Sequence, residues 1–169
     1  FNPTASAFSY IEKDIANYNL NNYIDHYNLV EFEKGSIPDQ IISNLQDSIT
    51  DPYFENVDYK LYYVNDETIN AYYIGNGYIL LFKRLIDELE TEDQLAAVIA
   101  HEIGHSYNKH LEKNIKRNIG LSILNLALNE FTDKEYENTI NIFDNLIRKG
   151  YSRSEEKEAD IYAVNLMAK

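Results

Sequence analysis

The chain has 169 residues, 44% of them apolar and 25% charged, which is enough material for one buried core and excludes wholesale disorder. Its 28 acidic residues against 15 basic ones leave a net charge of −13, a poor match for phosphate-driven nucleic-acid binding or for docking on anionic lipid. With no cysteine, disulfides, thiol catalysis and thiolate metal sites are all excluded.

The chain opens on Phe1 rather than Met, so an upstream segment is expected to have been removed, which favours an extracytoplasmic or membrane-associated protein. The longest unbroken apolar run, 95–100, is far short of the ~20 residues of a membrane span. No repeat or linker divides the sequence, so one domain is expected over 1–169: mainly helical over 1–58, a sheet over 59–82, helical again over 83–169. Phe8, Ile11, Ile15 and Tyr18 recur at helical spacing. A second helix is expected near Ser36, with Pro38 in its first turn and Ile41, Ile42, Leu45 and Ile49 on its apolar face. Aromatic and β-branched runs at 59–64, 69–74 and 78–82 predict three strands. Gly75-Asn76-Gly77 reads as a hairpin turn between the last two; no phosphate-loop helix follows it. Helices are then expected at 83–89, from about 94 to 110, around 115–130, and over 133–149 and 154–168, with an apolar core helix at 119–131. Thr91 and Gln94 form a capping-box signature at the start of the second of these.

On that capped helix lies His101-Glu102-Ile103-Gly104-His105, an HExxH motif. Side chains four apart on a helix share a face, so both imidazoles can hold one ion, and neutral imidazole suits zinc. Glu102 is about 100° round the helix, placed to reach a zinc-bound water without being a ligand. The expected chemistry is metal-assisted hydrolysis with Glu102 as general base.

A catalytic zinc takes three protein ligands and keeps one position open. The pattern HExxHxxGxxH fails here, because Asn108 stands for the glycine and Leu111 for the last histidine; His110 is one residue out of register. The remaining donors are downstream carboxylates in 151–160. Glu156 and Asp160 are four apart and share a helix face, so one can ligate zinc while the other accepts the free N–H of a ligating histidine. Glu155 and Glu158 are expected to point elsewhere, into solvent.

The strings NAYYIGNGYILLFKRLI, EDQLAAVIAHEIGHSYNKH and YSRSEEKEAD together resemble the HtpX-like, CAAX-prenyl-protease-type gluzincin zinc metallopeptidases. The resemblance covers roughly residues 60–168 and implies an α+β, zincin-like fold: a small, mostly antiparallel sheet on a helical bundle with the HExxH helix at its centre. It implies one zinc held by His101, His105 and Glu156, with Glu102 as base and Asp160 behind a ligand. Lys109-His110 matches the family's trailing basic-His pair, for which a structural role of His110 is expected. Asn70, Ala71, Tyr72 and Tyr73 match the family strand that pairs with a peptide substrate, the alternative being an ordinary internal strand. Tyr151 and Arg153 are further candidates, for stabilising an oxyanion. The chain is read as a minimal soluble member or a catalytic domain, an endopeptidase acting on extended or unfolded protein. The competing reading is a latent zinc-containing protein-binding module, its site closed by a fourth ligand such as His110 or Glu158.

Overall fold

Four short strands make one sheet in the order β1-β2-β4-β3: β1 is Val30–Glu31, β2 Lys60–Val64, β3 Ala71–Tyr73 and β4 Tyr78–Phe82. The computed structural model describes residues 3–52, 54, 56–119 and 133–169. Two of the three pairings are antiparallel, β1 with β2 and β3 with β4; β2 and β4 run parallel, Lys60 opposite Tyr78 through Val64 opposite Phe82. The expected strands are present, and β4 lies between the two that precede it, leaving β3 at an edge. The β3–β4 hairpin turns through Gly75, Asn76 and Gly77, all at positive φ. At Gly77 a Cβ would meet the Asp58 carbonyl oxygen at 2.5 Å, so only glycine fits. Strand β1 was not legible in the sequence: it is two residues long, and its Val30 is 60% exposed, so burial wrote no alternation there.

Seven helices are present among the described residues: α1 (Pro3–Tyr27), α2 (Ile37–Asp47), α3 (Lys83–Glu88), α4 (Glu92–Tyr107), α5 (His110–Ile119), α6 (Asp133–Lys149) and α7 (Arg153–Met167). This is the mixed α+β architecture expected, with the HExxH helix α4 packed on α2, on α7 and on edge strand β3. Leu95, Ile99, Ala100 and Ile103 of α4 are buried with Leu61, Val64, Ile79, Leu80 and Leu81 of the sheet and with Phe143 and Ile147 of α6. The capping box forms: Thr91 Oγ1 accepts from Gln94 N at 3.2 Å, and Gln94 Oε1 accepts from Thr91 N. Helix α4 ends at Tyr107, earlier than expected, because Asn108 Nδ2 donates to the Gly104 carbonyl and Lys109 takes a left-handed conformation that redirects the chain into α5. Helix α5 accordingly starts at His110, before the expected 115. The core helix expected at 119–131 lies outside the described residues beyond its first.

Helix α1 lies over the glycine turn, where Ala16 and Glu12 are the nearest neighbours of Gly75. Burial pushes the Glu12 carboxyl up to about 7, Glu112 adds to the rise, and Lys109 and Lys116 oppose it. A carboxyl raised in the fold favours folding while it is protonated. Its stabilisation is complete below the ordinary value of 4.5 and is lost as pH rises through about 7. Glu12→Gln is therefore expected to raise the melting temperature at pH 8 by a few degrees and to leave it little changed at pH 4. Thermal melts of both proteins between pH 4 and 8 check this; equal melting temperatures at pH 8 would contradict it.

Candidate metal centre

His101 and His105 project from one face of α4 towards Glu156 on α7. His101 Nε2 lies 3.0 Å from His105 Nε2 and 3.2 Å from Glu156 Oε2, and His105 Nε2 is 3.6 Å from Glu156 Oε1. One ligand atom of each lies within 4.8 Å of the others. A tetrahedral ion with bonds of about 2.0–2.1 Å has ligand atoms about 3.3 Å apart, so the spacing fits zinc.

The protons fit as well. His101 Nδ1 is 2.8 Å from Asp160 Oδ1. A carboxylate only accepts, so Nδ1 carries the hydrogen and Nε2 presents a lone pair. His105 is 2% exposed, and burial beside His101 and His110 pushes its pKa down to about 3, so it is a neutral imidazole. Two imidazole nitrogens and a carboxylate oxygen thus converge, with the His101 lone pair among them, an arrangement suited to a divalent cation.

Helix α7 reaches this place because of Gly104. A Cβ there would meet the Ala159 carbonyl oxygen at 2.7 Å and its Cα at 2.9 Å, so the two backbones cross in direct contact. Sequence reasoning passed over this residue, although glycine inside a helix costs about 1 kcal/mol relative to alanine and so signals a packing demand. Helix α7 has its own capping box: Ser152 Oγ accepts from Glu155 N, and Glu155 Oε2 accepts from Ser152 N at 2.9 Å. Glu155 also pairs with Arg117 of α5 and is buried. The expectation of a solvated Glu155 is thereby corrected: capping and the Arg117 pair draw it inward. Glu158 is likewise partnered, its Oε2 2.9 Å from His110 Nε2. Neither His110 nor Glu158 joins the donor cluster as a fourth ligand; both lie on the far side of His105, whose Nδ1 is 2.9 Å from His110 Nδ1.

A cleft of about 350 Å³ opens on the cluster, bordered by Asn70, Ala71, Tyr72 and Tyr73 along β3, by His101, Glu102 and His105, and by Tyr151. Glu102 is buried, and its Oε2 accepts from Tyr73 N at 2.9 Å. Burial pushes its carboxyl up to about 8; the Tyr73 N–H opposes this, and the charge of Glu156 adds to it. Tyr151 stacks on His105, ring centroids 4.0 Å apart and 20° between planes. Its buried hydroxyl has no partner among the described residues, and burial beside Glu102 raises its pKa far above the ordinary value. Arg153 stands exposed in the first turn of α7 and is not among the residues that border the cleft. A larger cavity of about 560 Å³, bordered by Glu12, Lys60 and Lys109, lies apart from the donor cluster.

Gly104→Ala is expected to push α7 off α4, cost about 1–3 kcal/mol as overpacking, and weaken metal binding by moving Glu156. Chemical denaturation and zinc titration read both effects; an alanine variant as stable and as tight as the parent would contradict the close-crossing argument.

Residues 39–169 match Peptidase family M48. The chain is 30% identical over 116 residues to mitochondrial metalloendopeptidase OMA1 of Arabidopsis thaliana, covering 69% of this chain and 24% of that protein. It is 29% identical to metalloprotease LoiP of Escherichia coli, covering 66% and 44% of the two chains. It is 25% identical to a putative beta-barrel assembly-enhancing protease of Vibrio cholerae, covering 77% and 32%. The chain thus spans less than half the length of these relatives. Joined to a donor set that fits zinc, the match shows that the chain belongs to peptidase family M48.

Proposed function

We propose that the protein is an endopeptidase that cleaves extended or unfolded protein segments, with zinc held by His101, His105 and Glu156. The observation that carries this reading is the convergence of those three donors beside a buried carboxylate in an open cleft. Bound there, zinc supplies Lewis acidity towards water and a peptide carbonyl. Glu102 takes the proton of the attacking water and returns it to the leaving nitrogen, a role supported by its place on the cleft wall next to the metal-ligating His101. Asp160 keeps the hydrogen of His101 on Nδ1. Tyr151 donates its unpartnered hydroxyl to the oxyanion as it forms.

Edge strand β3 receives the substrate backbone. Ile74 N donates to the Tyr78 carbonyl and Phe82 N to the Asn70 carbonyl, so even-numbered residues face β4, and the N–H and C=O groups of Ala71 and Tyr73 face outward. Glu102 occupies the Tyr73 N–H, and the Asn70 side chain caps the Ala71 N–H. The outward carbonyls of Ala71 and Tyr73 are then the acceptors for a peptide strand added at this edge. We place the protein in an extracytoplasmic or membrane-associated compartment; the relatives' names, one mitochondrial and one tied to β-barrel assembly, support this. No helix among the described residues is long and apolar enough to cross a membrane.

Glu102→Gln is expected to lower casein cleavage by about 10²–10⁴-fold while zinc content stays at one per chain. A chelator should abolish cleavage by the parent and added zinc restore it. Cleavage at the parental rate by Glu102→Gln, measured on protein checked for zinc, would refute the base assignment. Tyr151→Phe keeps the ring that stacks on His105 and removes only the hydroxyl. It is expected to lower kcat by about 10²-fold or more with KM little changed, and an unchanged kcat on a fluorogenic peptide would remove Tyr151 from the chemistry.

A further inference from the structure

We propose that His110 and Glu158 form a hydrogen-bonded support that fixes the tautomer of His105 and so its readiness to bind metal; this rests on the zinc-peptidase reading of the same site. His110 is fully buried at the start of α5, immediately after the left-handed turn at Lys109. Both of its ring nitrogens are engaged. Nδ1 lies 2.9 Å from His105 Nδ1, and Nε2 lies 2.9 Å from Glu158 Oε2. The Nε2 atoms of His101 and His105 are as close, but they belong to the donor set that could hold a metal, which takes the place of a shared hydrogen; the two Nδ1 atoms have no such third partner, so one ring donates to the other.

Glu158 decides which. A carboxylate accepts only, so the hydrogen of His110 resides on Nε2 and points at Glu158. The Nδ1 of His110 is then bare and accepts from His105 Nδ1. His105 therefore carries its hydrogen on Nδ1, and its Nε2 lone pair faces His101 and Glu156. The opposite arrangement would put a hydrogen on His105 Nε2, where the metal belongs, and turn a bare His110 Nε2 towards a carboxylate. Each ligating histidine thus has its own carboxylate on α7: Asp160 acts on His101 directly, and Glu158 acts on His105 through His110. The two acids are two residues apart on the helix that supplies Glu156, so docking α7 delivers one ligand and orients the other two. His110 and Glu158 touch neither metal nor substrate and act only through His105.

The test is zinc affinity by competition with a chromophoric chelator, together with the visible spectrum of the cobalt-substituted protein. Glu158→Ala removes a half-exposed side chain, so this variant keeps its fold. It is expected to weaken zinc binding about tenfold and shift the cobalt bands, with the circular-dichroism spectrum of the metal-free protein unchanged. His110→Leu fills the buried volume without an acceptor and is expected to weaken zinc binding by about 10–100-fold. His110→Asn returns an acceptor oxygen towards His105 and should recover part of that loss. Adding Glu158→Ala to His110→Leu should cost nothing further, because the carboxylate then has no ring to act through. Parental zinc affinity and cobalt spectrum in Glu158→Ala, or a full additive loss in the double variant, would overturn the proposal while leaving the peptidase reading intact. Failure of the parent itself to bind one zinc would overturn both.

Discussion

The closeness with which α7 can lie against α4 sets everything else in this protein. A helix pair separated by ordinary side chains keeps its axes 8–10 Å apart. At Gly104 no side chain intervenes, and the Ala159 backbone occupies the place of a Cβ. That contact brings Glu156 to the two imidazoles and Asp160 and Glu158 to the nitrogens behind them. The capping box at Ser152 and the Arg117–Glu155 pair hold the start of α7 in place, so the ligand-bearing turn is fixed from both ends. The metal centre is thus a product of one helix crossing, and the stability of that crossing and the affinity of the site are two readings of one contact.

The second junction is between Glu102 and the sheet. The outward N–H of Tyr73 donates to the Glu102 carboxylate, so the edge strand also fixes the position of the acid proposed as base. An edge strand ordinarily exposes unpaired backbone and invites pairing with other chains. Here both outward N–H groups are engaged within the chain, and the acceptors alone face outward. Under the proposed function, a strand added at β3 would have to present N–H donors to the Ala71 and Tyr73 carbonyls.

Much of this was legible along the chain. The HExxH spacing is a local property, since residues four apart on a helix share a face whatever the helix packs against. The capping box at Thr91, the glycine hairpin and the aromatic strands are local in the same sense, and each stands where expected. The break between α4 and α5 was missed because nothing in Ser-Tyr-Asn-Lys-His opposes a helix strongly; the left-handed Lys109 follows from packing the chain back against the core. Glu155 was misread because acidic residues at a helix start usually face water. The S-x-x-E capping signature at Ser152 was present and would have drawn it inward.

Residue order along the chain therefore sets the chemistry available: two imidazoles and a carboxylate on one turn of helix, and four more acids downstream. Tertiary structure decided which acid does what. Glu156, Glu158 and Asp160 differ little as residues and only slightly in position, yet one faces the donor cluster, one a buried histidine and one the outer nitrogen of His101. Their partners lie about fifty to sixty residues away along the chain, at separations where helical periodicity carries no information. Only the docking of α7 across Gly104 converts their order on a helix into distinct contacts.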